Sequence, residues 1–121
     1  MIVCRMDTTL LRKFCRSLPH VAEDVKWGDN LCFLIGERMF CITSLDRTAP
    51  AKLSFKCDPD GFTELIERDS IVPAAYMARN HWVSLERWDA LRDSELKSLV
   101  RASYDLVKSR LPKKTQARLS R

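Results

Sequence analysis

The chain has 121 residues, enough for one folded domain around a single hydrophobic core. Hydrophobic residues make up 45% of it and charged residues 31%, which excludes a disordered or fibrous protein. The apolar run Leu31–Ile35 is the size of a strand, and no run approaches the roughly 18 to 20 residues of a membrane span. The first residues include no apolar stretch of signal-peptide length. We therefore expect a cytoplasmic protein without membrane contact.

The net charge of +5 is concentrated near the C-terminal end. Residues 108–121 contain six basic residues and no acidic one, whereas residues 1–107 contain 15 basic and 16 acidic residues. The body of the chain is therefore nearly neutral. A short basic segment attracts any polyanion without selecting a sequence, so it supports a nucleic-acid partner but does not identify one.

The five cysteines are widely spaced, and no Cys-x-x-Cys motif occurs; they are residues 4, 15, 32, 41 and 57. Zinc sites and redox pairs need closely spaced ligands, so neither is indicated. We interpret the cysteines as reduced thiols that act as small hydrophobic residues.

The N-terminal part predicts a helix that begins after Asp7, a plausible N-cap, and ends at Pro19. Its apolar residues recur three and four positions apart: Leu10, Leu11, Phe14, Cys15 and Leu18. Residues 20–30 have polar and turn character around Trp27 and Gly28, so no strand is predicted there.

Two β-rich runs, Leu31–Ile35 and Met39–Thr43, flank Gly36, which can supply a positive φ, and they predict a hairpin. The segment Lys52–Cys57 alternates as a strand does. Its alternation predicts one set of core residues, Leu53, Phe55 and Cys57, and an open face with Lys52, Ser54 and Lys56.

The second half predicts a short helix from Asp58 through Ile66, a mostly irregular segment over residues 69–80, and a strand His81–Glu86. A longer helix follows, capped by Asp93 and ended by Pro112. The order of elements is typical of an α+β domain. We expect an antiparallel sheet covered on one face by the N- and C-terminal helices.

Motifs for phosphate-binding loops, dinucleotide binding and serine nucleophiles are absent, and the chain has three glycines in all. The adjacent carboxylates Glu23 and Asp24 lie on a predicted turn, where they do not suggest an acid–base pair. We therefore expect a protein that is not an enzyme and that uses no metal and no cofactor.

One cluster has side chains suited to nucleic acid: Arg79, Asn80, His81 and Trp82, with Lys52 and Lys56 on the preceding strand. Basic residues contact phosphates, an amide or imidazole can reach a base edge, and an aromatic ring can stack on a base.

Strand alternation leaves the position of Trp82 open. If Val83 and Leu85 face the core, His81 does too and Trp82 points outward. If Trp82 instead fills the space beneath a terminal helix, His81 lies at the surface; the core position is favoured for Trp82. The other two tryptophans, Trp27 and Trp88, lie beside turns and are expected to cover the edges of the core.

An ordered series of short motifs resembles the MmcQ/YjbR family of small bacterial proteins, over about residues 6–115. The motifs are Phe14-Cys15-x-x-Leu18-Pro19, Glu23-Asp24, Trp27-Gly28, Phe33-Leu34-Ile35-Gly36, Met39-Phe40, Leu53–Pro59, Tyr76-Met77, His81-Trp82, Ser103–Val107 and Leu111-Pro112-Lys113-Lys114. The resemblance implies a CyaY-like fold and a DNA-binding role through wing-like hairpins. The family usually has a His-Met-Asn-Lys type of segment before His-Trp, whereas this chain has Tyr76-Met77-Ala78-Arg79.

The leading hypothesis is a single domain over residues 6–112, with an optional extension (1–5) and a basic tail (113–121), that binds DNA weakly and in a salt-dependent way. Phosphates would be contacted by Lys52, Lys56, Arg79, Lys113 and Lys114, and bases by Asn80, His81 or Trp82. The alternative is a non-enzymatic domain that binds a small molecule or a protein around His81 and Trp82. A monomer is favoured.

Overall fold

A computed structural model describes residues 6–119, so the proposed extension over residues 1–5 lies outside the described residues. Within them the chain forms four α-helices: Thr8–Ser17 (α1), Pro59–Leu65 (α2), Asp93–Ser109 (α3) and Lys113–Leu119 (α4). It also forms six strands: Ala22–Lys26 (β1), Asn30–Ile35 (β2), Arg38–Ser44 (β3), Leu53–Lys56 (β4), Ile71–Pro73 (β5) and Trp82–Leu85 (β6). No helix in this part of the chain is long and apolar enough to cross a membrane.

The strands form one antiparallel sheet in the order β1-β2-β3-β4-β6-β5, which confirms the predicted α+β class. The predicted hairpin is present as β2 and β3, and Gly36 in its turn has φ +57°. Both hairpin strands lie inside the sheet, between β1 and β4. The pairing shifts register between Phe33 and Leu34, where the ladder is locally irregular.

The sequence analysis missed two edge strands: β1 lies within residues 20–30, where no strand is predicted, and β5 takes three residues of the segment 69–80, which is otherwise mostly irregular as predicted. The strand β1 carries three charged residues out of five, and β5 has three residues and ends at Pro73. Edge strands pair on one side only, and charge and proline there discourage further pairing. Charged residues and proline are also typical of turns, so the composition of these two strands resembles that of a turn.

Side chains of the helix termini behave as predicted at α1 and α2 but not at α3. Asp7 and Asp58 accept hydrogen bonds from backbone N–H groups in the first turns of α1 and α2. In α3, Asp93 is the first helical residue and Arg92 occupies the cap position. The Asp93 carboxylate instead accepts a hydrogen bond of 3.0 Å from the backbone N–H of Met6.

The main core lies between one face of the sheet and helices α1 and α3, as expected. The Tyr104 ring of α3 meets the Phe40 ring edge-on at 5.3 Å, and the Tyr104 hydroxyl donates to the carbonyl of Pro19 at 2.6 Å. The Ser103 hydroxyl is fully buried. It donates to the Phe40 carbonyl at 2.6 Å and accepts from the Lys56 N–H at 3.0 Å. One hydroxyl therefore fastens α3 to both β3 and β4.

The opposite face of the sheet carries a smaller buried cluster: Cys32, Leu34, Ile42, Ala74 and Trp82. The segment 74–80 lies over this cluster and is fixed to β6 by hydrogen bonds from Ala74 N–H to the Trp82 carbonyl and from Trp82 N–H to the Met77 carbonyl. The predicted open face of β4 is therefore wrong at Ser54. Its side chain is buried, and its hydroxyl lies 2.6 Å from that of Ser84.

The basic segment after Pro112 forms α4 over residues 113–119 and packs against the hairpin turn. A Cβ atom at Gly36 would lie 2.6 Å from Leu111 Cδ1 and 3.2 Å from Thr115 Cγ2. The Gln116 amide donates to the Leu111 carbonyl at 2.7 Å, and Leu119 packs against the main core. Whether this segment is ordered could not be read from its composition.

Candidate nucleic-acid interface

The last turn of α3 and the helix α4 form a surface rich in cations, which we call the basic end: Lys108, Arg110, Lys113, Lys114 and Arg118. The three basic side chains of α4 are exposed. None of the ion pairs found between residues 6 and 119 involves the basic end. Because α4 is docked on the sheet, these charges are held in a fixed arrangement and not on a flexible tail.

The β4 residue Lys56 links the basic end to the segment 78–80. Its ammonium donates to the Asn80 carbonyl at 2.7 Å. Partial burial lowers the pKa of Lys56, and the nearby positive charge of Arg110 lowers this pKa further. An ammonium has three N–H donors, so Lys56 retains donors for an anion beside Arg110.

The other strand lysine, Lys52, is not part of this group. Lys52 directly precedes β4 and Lys56 is its last residue, so they lie about 13 Å apart along the strand. The Lys52 ammonium donates to the carbonyls of Arg47 and Ala49, at 2.9 and 3.1 Å. We infer that Lys52 closes the loop between β3 and β4.

The sequence cluster of residues 79–82 divides into exposed and covered members. Arg79 and Asn80 are exposed in a single 3₁₀ turn, Ala78–Asn80. His81 has a left-handed backbone, with φ 64°, and its half-buried ring meets the Phe62 ring edge-on at 5.6 Å. Arg79 and Asn80 are therefore open to a ligand, whereas His81 is partly occupied by packing.

Trp82 is 6% exposed. Its position agrees with one part of each alternative left by the alternation pattern, because it points away from the main core and is nevertheless buried. Val83 and Leu85 belong to the main core, so Trp82 points to the opposite face, as the first alternative states. It is nevertheless buried, because residues 74–80 cover it and not because a terminal helix does. The indole is therefore poorly placed to stack on a base.

A groove of about 700 Å³ crosses the second face of the sheet, and the sequence analysis missed it. Its lining residues are almost all apolar or small: Trp27, Asn30, Met39, Ile42, Ala51, Ser54, Ala74, Ala75, Tyr76, Met77 and Ser84. Two aromatic residues contribute to its lining, Trp27 at 67% exposure and Tyr76 at 105%. The expectation that Trp27 covers the core edge is wrong, whereas Trp88 does pack against the main core.

Both exposed rings belong to residues with an unusual backbone conformation. Trp27 and Tyr76 have left-handed φ angles of 51° and 66°, a conformation that non-glycine residues adopt at a cost. Trp27 lies in the turn between β1 and β2, beside Gly28 at φ 85°. The Trp27-Gly28 turn could have shown that this side chain projects from the sheet. Tyr76 stands where the His-Met-Asn-Lys type of segment would have histidine.

Titratable side chains do not converge in the described part of the chain. Between residues 6 and 119 no group of three or more His, Cys, Asp or Glu side chains could hold a metal ion. The four cysteines in this range, Cys15, Cys32, Cys41 and Cys57, are buried free thiols, as expected from their apolar surroundings. Burial raises the pKa of Cys57 to about 11, so its reactive thiolate form is suppressed.

Comparisons with known proteins agree with one another. The chain is 30% identical over 112 residues to the uncharacterized protein YbdF of Escherichia coli O157:H7, covering 89% of each protein. The crystal structure of Deinococcus radiodurans protein DR2400, described as a DUF419 domain, superposes with a TM-score of 0.85. It is 30% identical, and the match covers 96% of this chain and 89% of that one.

A Pseudomonas syringae protein of known crystal structure shares the fold, with a TM-score of 0.68 and 17% identity over 84% of this chain and 98% of that one. The YjbR family model matches residues 16–106, most of the described domain. The chain belongs to the YjbR family.

Proposed function

We propose that the chain is a non-enzymatic, cytoplasmic DNA-binding protein that contacts backbone phosphates through its basic end. The observation that carries this proposal is the docked helix α4. Its exposed basic residues have no acidic neighbour in residues 108–121 and no ion-pair partner among residues 6–119. Docking holds the backbone of α4 against the hairpin turn before DNA arrives, so less ordering of the chain is required on binding.

Charge distribution favours one orientation on DNA. Residues 1–107 carry slightly more acidic than basic residues, so attraction to phosphates is concentrated at the basic end. Lys56 and Arg110 continue this surface toward the exposed Arg79. Phosphate contacts of this kind position a protein without reading sequence.

Base recognition at residues 80–82 has weaker support. Asn80 is exposed, but Trp82 is buried and the His81 ring packs against Phe62. The same two facts weaken the alternative of a ligand pocket centred on His81 and Trp82. We therefore expect duplex binding with little sequence preference.

Fluorescence anisotropy of a labelled mixed-sequence duplex tests this proposal. The test variant combines Lys113→Gln, Lys114→Gln and Arg118→Gln, and we expect it to bind more weakly than the natural chain by at least tenfold at about 50 mM salt. The matched control combines Lys13→Gln, Arg92→Gln and Lys97→Gln, which removes the same charge from α1 and the N-terminal part of α3.

Equal losses in the two triple variants would contradict a role for the basic end, because they would report net charge alone. Absence of binding by the natural chain would contradict the proposed function itself. Circular dichroism of each variant checks that the fold is retained.

A further inference from the structure

The groove between Trp27 and Tyr76 is an uncharged surface that phosphate binding at the basic end does not use. We propose that it binds the unpaired bases of a single-stranded nucleic acid whose phosphate backbone continues over the basic end. This inference rests on the proposed function and names the form of nucleic acid that the protein prefers.

The two exposed rings of the groove supply stacking surfaces. Tyr76 is fully exposed and Trp27 is two-thirds exposed, although large aromatic side chains are commonly buried. Both rings belong to residues with left-handed backbone, Trp27 at φ 51° and Tyr76 at φ 66°. Every base has a flat π-face, so an exposed ring of this kind can stack on any of them.

The lining of the groove matches a base and not a phosphate. None of its lining residues is charged, so an anion would lose hydration there without a compensating cation. The apolar part includes Met39, Ile42 and Met77, which can accommodate a flat ring. Ser54 and Ser84 also line the groove, but both are buried and their hydroxyls are paired with each other at 2.6 Å.

Cations lie where the groove approaches the basic end. Met39 lies in β3 directly after the exposed Arg38, and the preceding hairpin turn contacts α4 at Gly36. On the other side, Met77 precedes the exposed Arg79, and the Lys56 ammonium bonds the carbonyl of the next residue. The hairpin turn also contains one acidic residue, Glu37, which directly precedes Arg38. The neutral lining of the groove therefore matches the neutral bases of a single strand, and the exposed cations beside it match the charged phosphate backbone.

Anisotropy titrations with a labelled oligothymidylate of about 15 nucleotides and with a duplex of equal length test the inference. The variants are Trp27→Ala and Tyr76→Ala, with Trp27→Phe and Tyr76→Phe as conservative partners that keep a stacking ring. The matched control is Val25→Ala. Val25 is 53% exposed and pairs with Leu31 of the main core, so it lies on the face away from the groove.

We expect each alanine variant to bind the single strand about 5- to 150-fold more weakly while duplex binding is unchanged. The phenylalanine variants and Val25→Ala should remain close to the natural chain. Both ring positions are exposed, so the four variants made there should fold, and circular dichroism checks this.

Two results would overturn the inference while leaving the proposed function intact. One is equal affinity for the single strand and the duplex with no effect of either alanine variant. The other is quenching of the protein's tryptophan fluorescence by free thymidine that is lost in Trp27→Ala, with no preference for the oligothymidylate, which would indicate a small-molecule site. Failure of both nucleic acids to bind would overturn the proposed function together with the inference.

Discussion

Replacing Gly36 by alanine tests whether α4 is held by the hairpin turn, on which the fixed basic end depends. The residue has φ +57°, and a non-glycine residue there costs about 1–2 kcal/mol. The new Cβ would lie 2.6 Å from Leu111 Cδ1, and Leu111 is 4% exposed, so its side chain cannot move without repacking. Overpacking of this kind adds about 1–3 kcal/mol. We expect Gly36→Ala to lower the free energy of unfolding by about 2–5 kcal/mol.

The second glycine with positive φ provides a matched control. Gly28 has φ +85°, but a Cβ there would meet no atom within 4 Å. Gly28→Ala should therefore lower the free energy of unfolding through backbone strain alone, by about 1–2 kcal/mol. Thermal unfolding followed by circular dichroism measures both. At about 4 °C per kcal/mol for a domain of this size, Gly36→Ala should melt roughly 8–20 °C lower than the natural chain. Equal melting temperatures for the two variants would refute the docking of α4 on this turn.

Three further predictions concern the two cores and pH. Ser103→Ala removes the hydroxyl that bonds both the Lys56 N–H and the Phe40 carbonyl. We expect the free energy of unfolding in urea to fall by about 1–3 kcal/mol. An unchanged unfolding midpoint would contradict a stabilising role for this hydroxyl. Trp82→Ala empties most of the second cluster and should cost about 3–5 kcal/mol, whereas a loss below 1 kcal/mol would contradict its burial. The pKa of Cys57 is about 11 in the folded chain and about 9 when unfolded, so the unfolded state loses its proton first and stability should fall as pH rises from 9 to 11. This fall should be smaller in Cys57→Ala, and equal slopes for the two proteins would contradict it.

Most of the fold could be predicted from periodicity because the interior elements have strong local signals. The α3 helix keeps a 3.6-residue apolar period, and the strand containing Phe55 alternates strictly. The edge strand β1 lacks such a signal, since its pairing partner β2 supplies the apolar residues. Its existence depends on tertiary pairing and not on its own composition.

The candidate site was harder to predict because exposure depends on what lies over each face. Alternation correctly gives the direction of Trp82 relative to Val83, but only the path of residues 74–80 shows that the indole is covered. The same path creates the groove beside Tyr76. For the basic segment, composition gives its charge, whereas its docking depends on a close contact with Gly36, far away in sequence.

The salt dependence of duplex binding tests the central claim most directly. Each phosphate contact contributes about 0.9 to the slope of log affinity against log salt concentration. For the natural chain and the variant Lys113→Gln/Lys114→Gln/Arg118→Gln, we expect slopes that differ by about 2–3 units, whereas the charge-matched variant of Lys13, Arg92 and Lys97 should keep the natural slope. Identical slopes for the natural chain and the α4 variant would contradict phosphate binding by the basic end.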